Sequence, residues 1–104
     1  MVKRIPAYDI KNEAEVMLVL KRDVIEVRTV KPLHTKLAYT IDPYKLTYKM
    51  QRRDEYGRKT FAILRNNPYP WILQIDDLHI FRIDSESGPE TFKNYIRELR
   101  TASL

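Results

Sequence analysis

The chain reads as a small α+β domain, with short strands along most of its length and one helix at its C-terminal end. Two observations carry that reading. Apolar and polar residues alternate with period two through a series of short runs between Glu15 and Ile83, the signature of half-buried strands. After Ser87-Gly88-Pro89-Glu90 the period changes, and Phe92, Tyr95, Ile96 and Leu99 fall at i, i+3, i+4 and i+7, one apolar helical stripe.

The elements follow in order. Glu15–Leu20 and Val24–Val30 are β-rich runs joined by Lys21-Arg22-Asp23, which reads as a hairpin. The stretch from Lys31 to Lys36 is a loop, because Pro32 has no N–H to give a central ladder. Leu37–Ile41 is a short strand stopped by the turn-forming pair Asp42-Pro43. In the next strand Tyr44, Leu46, Tyr48 and Met50 face one side, expected to be core, and Lys45, Thr47, Lys49 and Gln51 face the other. It turns through Arg52–Arg58, where Gly57 supplies a positive φ at little cost, and Lys59–Arg65 is expected to return as its partner. After the Asn66–Pro70 loop, Trp71–Ile75 and Leu78–Ile83 form a hairpin around Asp76-Asp77. The helix is predicted over Pro89–Arg100, with Ser87 and Glu90 as a capping box and Pro89 tolerated where first-turn N–H groups lack intrahelical partners. This gives about seven strands in a curved, largely antiparallel sheet, which the helix closes by burying its apolar stripe.

Composition narrows the function classes. The chain has 104 residues, 43% hydrophobic and 32% charged, which predicts one soluble globular domain over residues 1–104. Without cysteine, disulfides, thiolate metal sites and cysteine nucleophiles are excluded. The longest apolar run, Val16–Leu20, is far shorter than a membrane-spanning helix needs. Behind Lys3-Arg4 there is no apolar region of the signal-peptide type, so the expected location is cytoplasmic or inside a virion.

The formal net charge of +5 is concentrated. Between Lys45 and Arg65 there are seven basic and two acidic residues, and the rest of the chain is neutral overall. The candidate binding residues are therefore Lys45, Lys49, Arg52, Arg53, Tyr56, Arg58 and Lys59: cations suited to an anionic partner, with an aromatic ring among them. The alternative for this hairpin is a solvated ribbon whose lysines discourage edge-to-edge aggregation. A second basic stripe, Lys93, Arg97 and Arg100, lies at i, i+4 and i+7 on the terminal helix, where cations also complement the C-terminal dipole. Trp71, beside Ile72 and Leu73, is expected to plug the core; exposed, it would be an interface anchor.

Chemistry of other kinds finds little support. Asp77 and His79 have the residue types of metal ligands, but a catalytic metal site usually has three protein ligands and no third is evident, so Asp76-Asp77 is read as a turn. No serine lies in a nucleophile elbow, and His34 and His79 are the only histidines. No cofactor is expected.

The run Glu15–Leu20 leading into Val24–Arg28, and the ending His79–Ile83 followed by the helical stretch Phe92–Leu99, resemble in order and size the pleckstrin-homology-like superfold. Phosphoinositide-binding members of that group place cations in and after the first hairpin loop and usually carry a tryptophan in the final helix. Here Lys21, Arg22 and Arg28 are joined by Glu26, and the helix has no tryptophan. The resemblance therefore implies a scaffold for binding other proteins. The expectation is a non-enzymatic binding or adaptor module whose basic hairpin engages an acidic protein surface. Nucleic-acid binding is the alternative, and an edge-paired homo-oligomer or virion protein is a third reading.

Overall fold

A computed structural model describes residues 2–30, 35–52 and 71–102. The expected strand Lys59–Arg65, the turn around Gly57 and the candidate residues Arg53, Tyr56, Arg58 and Lys59 lie outside the described residues. The described chain forms strands β1 (Lys3–Asp9), β2 (Ala14–Leu20), β3 (Ile25–Val30), β4 (Thr35–Ile41), β5 (Tyr48–Arg52), β6 (Trp71–Ile75) and β7 (His79–Ile83). Helix α1 (Gly88–Ala102) follows. The strands form one sheet of order β4-β3-β2-β1-β7-β6-β5, every pair antiparallel and the sheet not closed on itself. The protein is an α+β domain.

The sheet curls strongly. In a flat sheet β4 and β7 would lie about 19 Å apart, four spacings of about 4.8 Å. Instead the Tyr39 ring on β4 stacks on the His79 ring on β7, with centroids 5.0 Å apart. A bulge in β4 contributes: Val27 pairs with Tyr39 and Arg28 with Leu37, leaving Ala38 as the extra residue. Such an insertion bends the strand and increases its twist. Curling lets strands from both halves share one core, in which Ile25, Val27 and Ile41 join Leu73, Ile75 and Phe81.

Helix α1 seals the end of the sheet where β1 begins and β2 finishes. Phe92, Tyr95 and Ile96 are buried, and Leu99 packs partly buried against the same core. The Tyr95 hydroxyl donates to the Lys21 carbonyl at 2.6 Å, fixing the helix to the β2–β3 turn. The start of the helix differs from the capping box. The Ser87 carbonyl accepts from Thr91 N–H at 3.0 Å, but the side-chain cap comes from Ser85, whose Oγ accepts from Gly88 N–H at 3.1 Å. Gly88 is needed for space: a Cβ there would lie 2.5 Å from Ile83 Cγ2 and 3.2 Å from Ile5 Cγ2.

Two sequence expectations change. Lys3–Asp9 is a strand, central in the sheet between β2 and β7. Pro6 fits because β1 pairs with β7 only at Tyr8 and Asp9, further along the strand. Next, residues 43–45 form a turn and the strand starts only at Tyr48. Tyr44 is therefore not core: it is 44% exposed, and its hydroxyl donates to the Arg22 carbonyl. Leu46 and Tyr48 do pack inward. On its described side β5 pairs with β6 in register, Tyr48 opposite Ile75 and Arg52 opposite Trp71.

Candidate anion-binding groove

The basic stripe of α1 borders a groove of about 420 Å³ between the helix and the start of β5. Its lining is Tyr48, Lys93, Ile96, Arg97, Arg100 and Thr101, which includes three cations and no carboxylate among the described residues. The helical period puts Lys93, Arg97 and Arg100 on one side, and alternation in β5 turns Tyr48 toward them with its ring edge-on to Phe92 at 5.1 Å.

Two of these cations contact neutral groups. Lys93 Nζ sits 5.7 Å from the centroid of the Trp71 ring, a cation–π contact that orients the ammonium without cancelling its charge. At the other end, Arg100 Nη2 donates to the Leu46 carbonyl at 2.9 Å. Arg97, exposed between them, has no ion-pair partner among the described residues.

The cations on the β2–β3 turn are arranged differently. Glu26 accepts from Lys21 Nζ at 3.1 Å and from Arg28 Nε at 2.9 Å. The Arg28 hydrogen bond first, and then that from Lys21, hold the Glu26 carboxyl below its usual range. Two cations there share one carboxylate, so part of their charge is offset within the chain.

The remaining candidates divide. Lys45 is exposed and immediately precedes Leu46, so it stands beside the Arg100 end of the groove. Lys49 is on the opposite face of β5, bordering a shallow depression with Gln74, Asp76 and Asp77. Arg52 ends β5 opposite Trp71, the residue beneath Lys93. Trp71 is half-buried, with its ring packed against the core and carrying the cation. The helix stripe thus lines the groove, Lys45 precedes the residue whose carbonyl accepts from Arg100, and Lys49 is directed elsewhere. The spacing of Tyr48 predicts a core residue, and it does pack against the core; nothing local in the sequence signals that it also lines the groove.

The opposite end of the sheet holds a polar cluster that the sequence does not reveal. Asp9, 2% exposed, accepts from Asn12 N–H at 3.1 Å, Asn12 Nδ2 at 2.8 Å and the Tyr39 hydroxyl at 2.7 Å. Burial first, and then the bond to Asp9, push the Tyr39 phenol well above its ordinary value, so it stays a donor. His79 lies between the rings of Tyr39 and Phe81, and burial pushes its imidazole below the ordinary value against the opposing pull of Asp9 and Asp76.

Asp76 and Asp77 form the β6–β7 turn, both with positive φ (52° and 59°), and Leu78 N–H closes it on the Ile75 carbonyl at 3.0 Å. Asp76 Oδ1 also accepts from Thr47 N–H at 2.7 Å, and Asp77 Oδ1 from Gln74 at 2.8 Å. These carboxylates are occupied by turn and strand contacts, and no cluster of three or more His, Asp or Glu side chains suited to a metal occurs among the described residues.

No family model, no curated protein and no solved structure matches this chain.

Proposed function

We propose that the protein is a small non-enzymatic binding module whose basic groove takes an acidic segment of a partner protein. The observation that carries this is the groove's lining: Lys93, Arg97 and Arg100 beside Tyr48, with no carboxylate among the described residues that form it. Cations held in place by a ring and a carbonyl lose little side-chain freedom on meeting an anion, and an apolar floor at Ile96 adds contact area. The strand meander ending in a helix that seals one end supports a pleckstrin-homology-like scaffold used for protein binding. A cytoplasmic setting belongs to the same proposal; among the described residues no helix is long and apolar enough to cross a membrane.

Fluorescence anisotropy with a labelled poly-glutamate peptide and with labelled single-stranded DNA, each across a salt series, tests the reading. The peptide is expected to bind with affinity that falls as salt rises. Lys93→Glu/Arg97→Glu is expected to weaken it roughly tenfold or more, and Lys49→Glu to leave it unchanged. Tighter, strongly salt-dependent DNA binding lost in the same double variant would transfer the groove to nucleic acid. Failure of both probes to bind would remove the groove as a site.

A further inference from the structure

The outer face of β1–β2–β3, remote from the groove, carries a bipolar pattern that fits its own copy. Side chains alternate along each strand, so Ile5 and Ala7, with Val16, Leu18 and Leu20, enter the core, while Arg4, Pro6 and Tyr8, with Glu15, Met17 and Val19, face outward. The register aligns these in three rungs: Arg4 beside Val19, Pro6 beside Met17, and Tyr8 beside Glu15. Two depressions, of about 250 and 340 Å³, adjoin on this face and share Met17. Their accessible apolar floor is Pro6 and Met17, with Val19 already buried beneath its own chain at 5% exposure, and Val30 is 42% exposed at one margin.

The charges on this face separate along the strands. Arg4 is exposed at one end and Glu15 at the other, about 13 Å apart along the strand direction. Neither has an ion-pair partner among the described residues. They are too distant to pair within one chain.

We propose that this face packs against the same face of a second copy, about a two-fold axis lying in the interface across the Pro6–Met17 rung. That operation reverses the strand direction, so Met17 meets Met17 of the other copy and each Arg4 comes over the Tyr8–Glu15 rung. Two Arg4–Glu15 pairs result, as an isologous interface requires. Arg28, which shares the central rung with Met17, approaches its own equivalent. Each Arg28 keeps its ion pair with Glu26, which Lys21 shares, so the repulsion between the two equivalents is offset only in part. Pro6 and Met17 form the apolar part of the centre, beside the Arg28–Glu26 pair, and methionine adapts readily at the middle of an interface.

Sedimentation velocity from about 10 μM to about 1 mM tests this over the range a small interface would occupy. The wild-type mass is expected to rise from monomer to dimer. Arg4→Glu sets two carboxylates against each other at both rim pairs, and Glu15→Lys sets two cations there; each variant alone is expected to stay monomeric. Both positions are exposed, and matching circular dichroism would show that each variant folds. Mixing the two variants brings one carboxylate pair's members opposite the other variant's cations and is expected to restore the dimer. A monomer throughout the wild-type series would overturn the proposal, leaving the face to another partner or to solvent. A dimer that neither single variant weakens would equally overturn it, since copies would then associate through another surface.

Discussion

At the end of the sheet where β1 begins, closure is apolar: Phe92, Tyr95 and Ile96 of α1 enter the core, and the Tyr95–Lys21 hydrogen bond ties the helix to the β2–β3 turn. At the other end closure is polar and aromatic. There Asp9 gathers three donors, and the Tyr39–His79–Phe81 stack brings β4 over β7. The apolar end spreads its stabilisation over many non-directional contacts, so it tolerates small changes of shape. The polar end depends on one buried carboxylate, and its partners lose their purpose together if that group is removed. The two ends should therefore fail differently.

Phe92→Ala should produce the largest loss. The ring is fully buried, packed edge-on to Tyr48 and tilted against Tyr95, so its removal leaves a void that rigid neighbours cannot readily refill. A destabilisation of about 3–5 kcal/mol is expected in urea denaturation, with helix and sheet unfolding together. Unfolding of the helix with the sheet left intact would show that α1 is an appendage and not part of the core.

Asp9→Ala comes next. It strands the Tyr39 hydroxyl and the Asn12 amide beside a buried site, at an expected cost of about 2–4 kcal/mol. Hydrogen exchange should show the loss concentrated in β4 and the β1–β2 turn, with α1 still protected. Tyr39→Phe should cost less, because Asp9 keeps both Asn12 bonds. Equal losses for the two variants would mean that the stack, not the carboxylate, holds this end.

The sequence discloses the two ends unequally. The helix is legible because Phe92, Tyr95, Ile96 and Leu99 repeat at a helical period that only one packed face explains. The clasp is not, because Asp9 and Tyr39 lie 30 residues apart and are joined only by the curl. Asp9 also ends the inward series Ile5, Ala7, Asp9 with a charge, and with Pro6 this hides β1 from a search for alternation. Tyr44 misled in the opposite sense: it continues the alternation of Leu46 and Tyr48, yet the turn begun at Asp42-Pro43 runs through Lys45 and rotates it outward. At the groove, the cationic stripe of α1 is written in its spacing. That Glu26 pairs with both Lys21 and Arg28, while Lys93 sits over Trp71 and Arg100 donates to the Leu46 carbonyl, depends on tertiary contacts that charge counting does not reach.

The smallest effect is acid sensitivity at the polar end. His79 sits between Tyr39 and Phe81, faced by Asp9 and Asp76 and by Lys11, whose Nζ donates to the Asp77 carbonyl. Burial lowers its proton affinity in the folded chain more than the carboxylates raise it. The unfolded chain, with an ordinary imidazole near 6.5, then binds the proton first as pH falls. His79 therefore leaves stability undiminished above that ordinary value, erodes it as pH drops from about 6.5 toward the lowered folded value, and adds no further loss below the folded value. Because the ring is only partly buried and solvent screens its charge, the drop in Tm should be slight, and His79→Phe should abolish it while preserving the stack. Glu26 provides the contrast within the same titration. Its depressed carboxyl contributes stability above the ordinary value of 4.5 that is lost at lower pH, so its effect falls in a separate window. A wild-type Tm that declines below about pH 6.5 and a decline that persists unchanged in His79→Phe would assign the sensitivity to another group and leave the aromatic clasp indifferent to protonation.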